Sequence, residues 1–166
     1  MNQLYTPWRM RYLRGETKKE AVDCVFCDRA NNPQADAVNY VVARSQFVYV
    51  VLNIYPYNNG HVMVIPYTHV PTPEALPPEA LADLMLTINR SMAAIRDVYQ
   101  PQGYNIGANL GAIAGAGIAD HFHMHIVPRW AGDSSYMSVV GQTRVIPETL
   151  EDTWRKLRDV WPTNHA

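Results

Sequence analysis

Several features that would place a protein in a whole class are missing from this sequence. No apolar run approaches the roughly 18–20 residues of a membrane-spanning helix, so we expect no membrane association. The first residues contain no charged region followed by an apolar stretch, so we expect no secretory signal. Lys and Arg number 14 against 15 Asp and Glu, so the formal net charge of -1 provides no basic field to recruit nucleic acid.

Cysteine is also scarce. Cys24 and Cys27 are the only two, too few and too close for a disulfide framework, which favours a cytoplasmic protein. A Cys-x-x-Cys pair can be redox-active, but the pattern shows no thioredoxin-like strand–helix–strand context, so we expect no redox cofactor. Zinc would need two further ligands. His61, His69 and His121 are the candidates, and spacing alone does not choose between them.

Composition and patterning predict a single α+β domain over residues 1–166. Of these residues 48% are hydrophobic and 17% charged, which is enough for one core, and no internal repeat is visible. Five runs rich in β-branched and aromatic residues predict a mainly antiparallel five-stranded sheet. The expected strands are Val38–Ala43, Phe47–Leu52, His61–Pro66, Gly103–Asn109 and His121–Val127, the last closed by Pro128.

One long and one short helix are predicted. Apolar residues recur at three- and four-residue steps over about residues 78–100, which is typical of an amphipathic helix packed on a core. The stripe consists of Leu81, Leu84, Met85, Ile88, Met92, Ile95 and Tyr99. A short C-terminal helix is expected at 147–160. The polar and basic residues 1–20 are expected to form an irregular arm that packs on the domain or on a partner subunit.

Three histidines alternate along one segment: His121, His123 and His125. Because successive side chains of a strand point to opposite faces, the three imidazoles are predicted to share one face. A solvated strand face is the ordinary alternative, but a neutral imidazole can also be a nucleophile, a proton carrier or a metal ligand. The middle residue, His123, is the natural nucleophile toward phosphorus. A histidine two residues away can contact phosphate oxygens or protonate a leaving group.

A segment rich in glycine and alanine, residues 109–118, lies directly before these histidines. Small residues allow backbone N–H groups to approach phosphate oxygens closely, although most glycine-rich turns are only turns. No Gly-Lys-Ser/Thr follows, so the segment is not a P-loop. Its position beside the histidines favours a phosphate-binding role.

These motifs together resemble those of the histidine triad (HIT) family over nearly the whole chain. His121–Val127 resembles the signature His-φ-His-φ-His-φ-φ, in which φ is apolar. Gly60–Pro66 followed by His69 resembles the block Gly-His-x-φ-φ-φ-Pro-x-x-His, and Asn109–Gly111 resembles the Asn-x-Gly loop. Other segments resemble the bacterial branch that includes diadenosine tetraphosphate phosphorylases, namely Leu4–Arg9, Pro128–Trp130, Gly132–Asp133 and Thr143–Glu148.

The resemblance implies a homodimeric α+β enzyme that transfers a nucleotidyl group from the α-phosphorus of an adenosine-containing substrate. His123 matches the family's nucleophile, which becomes nucleotidylated, and His125 matches the histidine that contacts phosphate and the leaving group. Asn53, which from its own position could equally cap a turn, matches the residue that bonds the ribose. The phosphate cradle corresponds to Asn109, Gly115, Ala116 and Gly117. In zinc-binding members the structural ligands correspond to Cys24, Cys27, His69 and His121.

One departure from the family bears on the reaction. Many hydrolases and phosphoramidases of the family carry Gly-Gln-Ser/Thr before the triad, where the corresponding stretch of this chain, Ala114–Asp120, contains neither the glutamine nor the hydroxyl. The missing glutamine disfavours hydrolysis and leaves room for inorganic phosphate as the acceptor. The alternatives are a phosphoramidase, a nucleotidyltransferase on a sugar phosphate, or a nucleotide-binding module without catalysis. A hydrolytic zinc site on all three triad histidines is less favoured, because the nearby thiolates compete for zinc.

Overall fold

The computed structural model describes residues 24–133 and 147–162. Its centre is a five-stranded antiparallel sheet, which confirms the predicted α+β class. The strands are β1 (Val41–Arg44), β2 (Val48–Leu52), β3 (Val62–Pro66), β4 (Gly103–Gly107) and β5 (Met124–Arg129). Their order across the sheet is β1-β2-β3-β5-β4. The expected arm at 1–20 lies outside the described residues.

Within the described residues, three α-helices accompany the sheet: α1 (Val25–Asn31), α2 (Pro78–Tyr99) and α3 (Leu150–Asp159). The sequence predicted α2 and α3 but not α1. With seven residues and one buried side chain, Phe26, α1 is too short to show a helical period. No helix in the described ranges is both long and apolar enough to cross a membrane.

The long helix α2 begins at Pro78, a residue suited to the first helical position, and ends before Gln100, whose φ of 47° is left-handed. Its stripe buries Leu84, Ile88 and Ile95 as predicted. Met85 was wrongly assigned to the stripe and is 55% exposed. It follows Leu84 by one residue, which places it about 100° around the helix from the buried line.

Both faces of the central strands are covered. Alternate residues of β2 enter different cores: Val48, Val50 and Leu52 pack with α2 and α3, whereas Tyr49 and Val51 pack with Phe26 of α1. Burial on both faces explains why β2 and β3 read as continuous apolar runs rather than as alternating patterns. Phe122 and Ile126 enter the core beneath α2 and α3, as expected for the apolar residues between the histidines.

Strand bounds differ from the prediction where local geometry intervenes. β1 begins at Val41 rather than at Val38, because Tyr40 adopts a left-handed φ of 57°. β5 begins at Met124 rather than at His121, since the Phe122 N–H bonds to Val70 O instead of to a sheet neighbour.

Two strand ends also differ. β4 ends at Gly107 rather than at Asn109. Pro128 does not close β5 but lies within it, paired with Tyr104 of β4. The ladder between β3 and β5 covers only Met124–Ile126, so Pro128 sits where β5 has a single neighbouring strand. A proline, which has no N–H to donate, is tolerated there.

Candidate active site and metal centre

Four potential metal ligands converge between α1, the segment after β3 and the segment before β5. They are Cys24, Cys27, His69 and His121, and their ligand atoms all lie within 4.8 Å of one another. Cys24 Sγ lies 3.4 Å from His121 Nδ1, and Cys27 Sγ lies 3.2 Å from His69 Nδ1. Burial and the adjacent Cys24 raise the pKa of the Cys27 thiol. A bound cation is therefore what would favour its thiolate form.

The spacing and donor chemistry of this cluster fit zinc. With bonds of about 2.0–2.3 Å, neighbouring ligand atoms of a tetrahedral zinc site lie roughly 3.3–3.8 Å apart. Three of the distances between cysteine sulfurs and imidazole nitrogens are close to this range, at 3.2, 3.4 and 3.5 Å. His121 Nε2 lies 2.9 Å from Pro66 O and donates to it, so the proton-free Nδ1 faces both sulfurs. Burial lowers the pKa of His121, which favours the neutral ring that a metal ligand requires.

His123 is held in one tautomer by the backbone. Its Nδ1 lies 2.9 Å from the carbonyl oxygen of His121, and a carbonyl can only accept a hydrogen bond. Nδ1 therefore carries the proton and Nε2 has a free lone pair. The ring is 6% exposed and lies against Phe26, whose centroid is 5.0 Å from that of His123 and 5.5 Å from that of His121. The orientation of His123 thus depends on residues of the metal cluster and of α1.

His125 has the opposite tautomer, fixed by a residue that sequence reasoning did not place in the site. His61 Nδ1 accepts the backbone N–H of Tyr57 at 3.0 Å, so in the neutral ring the proton is on Nε2. That Nε2 lies 2.9 Å from His125 Nδ1 and donates to it. His125 is left with its proton on Nε2. Burial and then the charge of His123 lower the pKa of His125 to about 4, so its ring is neutral near pH 7.

The rings of the site touch one another in a row. The His123 and His125 centroids are 5.0 Å apart, and those of His125 and His61 are 5.1 Å apart. Tyr57 covers the far end, stacked on His125 at 5.9 Å and tilted against His61 at 4.7 Å. The His123 ring, whose Nε2 is proton-free, therefore contacts the His125 ring, whose Nε2 carries a proton. This combination suits nucleophilic attack with stabilisation of a departing anion.

Asn53 follows the end of β2 and lies close to the histidine row. Its backbone N–H donates to His61 O at 3.0 Å, and its Oδ1 accepts the N–H of Tyr55 at 2.9 Å. The side chain therefore caps a turn, one of the two roles that the sequence left open. Asn53 also lines a small cavity of about 10 Å³ together with Asn59, His61 and Glu148.

The glycine-rich segment follows Gly107, the last residue of β4, which pairs with His125, and it leads to His121 just before β5. The chain turns tightly there: Asn109 Nδ2 lies 3.4 Å from Gly115 O, and Gly115 has a φ of 90° that favours glycine. The N–H of Ala116 is used within the turn, bonding to Gly111 O. Gly117 has an ordinary φ, and a Cβ built there meets nothing within 4 Å, so the loop has space for a side chain at this position.

The structure brings together most of the residues that the sequence singled out. Of the three candidate histidines, His69 and His121 lie next to the two cysteines, and His61 does not. His61, which the sequence offered only as a candidate zinc ligand, is 1% exposed and bonds to His125. Sequence reasoning also missed Phe26 and Tyr57 as neighbours of the triad. The triad is visible as a regular alternation, but no such sequence pattern links Phe26 or Tyr57 to it.

Comparison with known proteins agrees with this geometry. The model of the HIT domain matches residues 34–132, and the chain belongs to the HIT domain family. Over 165 residues it is 41% identical to the AP-4-A phosphorylase of Mycobacterium tuberculosis, an alignment that covers 97% of this chain and 85% of that protein.

Two solved structures share the fold. One is a Zn-bound histidine triad family protein from Mycobacterium smegmatis, with a TM-score of 0.65, 32% identity, and coverage of 82% of this chain and 91% of that one. The other is a hypothetical histidine triad nucleotide-binding protein from Sulfolobus tokodaii, with a TM-score of 0.66, 27% identity, and coverage of 82% and 90%.

The depressed pKa of His125 predicts a pH-dependent stability. The folded pKa is about 4 and the unfolded pKa about 6.5. Between these values the unfolded state binds more protons, so the free energy of unfolding falls as the pH falls. From about pH 7.5 to about pH 5.5, wild type should lose about 1 kcal/mol more than His125→Gln in urea unfolding. Equal losses in the two proteins would contradict the shift.

Proposed function

We propose that this protein is a dinucleoside polyphosphate phosphorylase that uses inorganic phosphate to split diadenosine tetraphosphate into ATP and ADP. The observation that carries the proposal is the pair of complementary tautomers, a proton-free Nε2 on His123 beside a proton-bearing Nε2 on His125. The name of the 41% identical relative, AP-4-A phosphorylase, supports the same substrate class and the same acceptor.

In the first step His123 Nε2 attacks the α-phosphorus of the dinucleotide. A P–N bond forms, the P–O bond to the remaining triphosphate breaks, and ATP departs with the bonding electron pair. His125 Nε2–H donates a hydrogen bond to the oxygen on which this charge develops. Positive charge on the nucleotidylated His123 ring is tolerated because Nδ1–H still points at the His121 carbonyl.

In the second step an oxygen of inorganic phosphate attacks the same phosphorus. The P–N bond breaks, its electrons return to His123 Nε2, and ADP leaves. A water molecule as acceptor would give AMP instead. The glutamine that orients water in the family's hydrolases is absent from the stretch Ala114–Asp120. Within it, a Cβ built at Gly117 meets nothing within 4 Å. That space favours the bulkier phosphate as acceptor.

Asn53 and the glycine-rich segment are the proposed nucleotide-binding elements. The Asn53 N–H bonds to His61 O, and the His61 ring in turn bonds to His125. From this position Asn53 can reach the ribose of a nucleotide whose α-phosphorus faces His123. Asn109, Gly115, Ala116 and Gly117 lie in the loop that joins the strand partner of His125 to His121, where they can border the phosphates.

Zinc is the proposed occupant of the Cys24, Cys27, His69 and His121 cluster. With four protein ligands the site would be closed, so the metal would crosslink α1 to the triad segment and supply folding free energy rather than a reactive water. The 32% identical protein from Mycobacterium smegmatis is Zn-bound in its crystal structure, which supports this assignment.

A homodimer is proposed with β4 at its interface. β4 is an edge strand of the sheet. The exposed apolar side chains of Ile106, Leu110 and Ile113 lie on and just after it, at 42%, 45% and 105% exposure. An exposed edge with apolar side chains is a template for pairing with a second strand.

Chromatography of the products from diadenosine tetraphosphate tests the proposed reaction. ATP plus ADP, formed only when inorganic phosphate is added, is the expected result. AMP plus ATP in both tubes would show a hydrolase and contradict phosphate as the acceptor. Products in neither tube would contradict cleavage of this substrate and favour a phosphoramidase, a sugar-phosphate nucleotidyltransferase or a binding module.

Replacement of a cluster residue tests the metal assignment. Cys27→Ser should abolish stoichiometric zinc and lower the free energy of unfolding by several kcal/mol, because a structural zinc site contributes on the order of 10 kcal/mol. His61→Asn is the matched control: it changes a buried histidine that stands outside the cluster and should retain zinc. Elemental analysis of the purified proteins decides, and full zinc in Cys27→Ser would refute the assigned ligands.

A further inference from the structure

The carboxylate of Glu148 receives an unusual number of hydrogen bonds just before α3. Its Oε2 accepts from Asn59 Nδ2 at 3.1 Å, from Thr153 Oγ1 at 2.9 Å and from the Tyr99 hydroxyl. Its Oε1 pairs with Lys156. The side chain is 12% exposed, and burial by itself raises the pKa of Glu148. The hydrogen bonds from Lys156 and the three other donors outweigh burial and lower that pKa to about 2.

The donors to this carboxylate come from three separate parts of the chain. Tyr99 is the last residue of α2, Thr153 and Lys156 lie on α3, and Asn59 lies in the loop between β2 and β3. Charge-assisted hydrogen bonds of this kind are stronger than neutral ones. Glu148 therefore links the end of α2 and the helix α3 to the loop between β2 and β3.

That loop carries the groups that set the tautomer of His125. Asn59 is followed by Gly60, whose φ of 75° places its Cα against the Tyr99 ring: a Cβ there would lie 3.1 Å from Tyr99 Cε2. His61 comes next, its N–H bonded to Asn58 O and its ring bonded to His125. A displaced Asn59 or Tyr99 would therefore move the backbone from which the His61 ring projects.

A small cavity of about 10 Å³ is bordered by the same elements. Its lining includes Glu148, Thr153 and Leu150 as well as Asn53 and His61. The C-terminal segment therefore lies next to Asn53, a residue of the proposed nucleotide site. Nothing in the histidine signature marks this segment as part of the site.

We propose that Glu148 is a positioning residue for the reaction, acting through Asn59 and His61 to hold His125 Nδ1 as an acceptor and His125 Nε2–H as the donor to the leaving group. Glu148 itself touches no reacting atom. The proposal deepens the proposed function and rests on it for its kinetic consequence. Its structural consequence, the state of the His61–His125 hydrogen bond, is measurable without substrate.

The test compares full-length variants with a matched control. Glu148→Ala removes the acceptor, and Glu148→Gln keeps an acceptor oxygen but removes the charge. Glu151→Gln is the control: Glu151 also lies on the C-terminal segment and also accepts from a tyrosine hydroxyl, that of Tyr40, but it has no bond to the loop. Asn59→Ala cuts the link at the loop and leaves the contacts of Glu148 with both helices intact.

Two readouts are measured on each protein. The first is the ¹⁵N–¹⁵N coupling across the His61–His125 hydrogen bond in histidine-labelled protein, and the second is kcat and KM with diadenosine tetraphosphate and phosphate. Glu148→Ala and Asn59→Ala should lose the coupling and about tenfold in kcat, with a smaller change in KM, as expected when a reacting group is misplaced. Glu148→Gln should lose less, and Glu151→Gln should match wild type.

The outcomes separate this proposal from the proposed function. An unchanged coupling and an unchanged kcat in Asn59→Ala would overturn the positioning role, even if Glu148→Ala failed to fold. Equal losses in Glu151→Gln and Glu148→Gln would overturn it as well, because the effect would then belong to α3 stability. If wild type shows no turnover, the proposed function fails, and the coupling alone still decides whether Glu148 orients the histidine pair.

Discussion

The geometry of the site depends on His121, which joins the proposed zinc ligands to His123, the proposed nucleophile, through separate groups of one residue. Its Nδ1 faces the two cysteine sulfurs, its Nε2–H is held by Pro66 O, and its carbonyl accepts the Nδ1–H of His123. If the ring of His121 moved, its backbone would move with it, and the carbonyl that fixes the tautomer of His123 would be displaced. Binding of the proposed zinc ion and the tautomer of His123 would therefore be coupled within three residues.

A backbone group also fixes the tautomer of His125, the second histidine of the proposed reaction. The Tyr57 amide fixes His61, and His61 fixes His125, so two adjacent imidazoles of the same chemical type carry their protons on different nitrogens. Neither assignment needs a charged partner. In the proposed reaction this pair of tautomers would supply a nitrogen for attack at phosphorus and a donor for the departing oxygen, without the reorganisation that a mobile pair would need.

Much of the fold and the triad could be predicted from the sequence, because α2 follows a period of 3.6, the triad a period of two, and β2 and β3 are continuous apolar runs. What could not be predicted depends on contacts without a period. α1 is too short to show one, and Met85 fits the three-to-four spacing yet lies beside the buried line. His61 resembles any histidine at a strand start until β3 pairs with β5 and places it next to His125. Glu148 lies far along the chain from the triad, so only the folded packing shows its link to the loop.

The proposed reaction requires that the Nε2 of His123 becomes nucleotidylated. The most direct measurement is intact and peptide mass spectrometry of protein that has been quenched after mixing with diadenosine tetraphosphate in the absence of inorganic phosphate. We expect a mass increase of one adenylyl group, located on His123, which disappears with release of ADP when phosphate is added. We expect no adduct on His123→Ala, although that variant should still bind nucleotide. Turnover by His123→Ala, or an adduct located on another residue, would contradict His123 as the nucleophile.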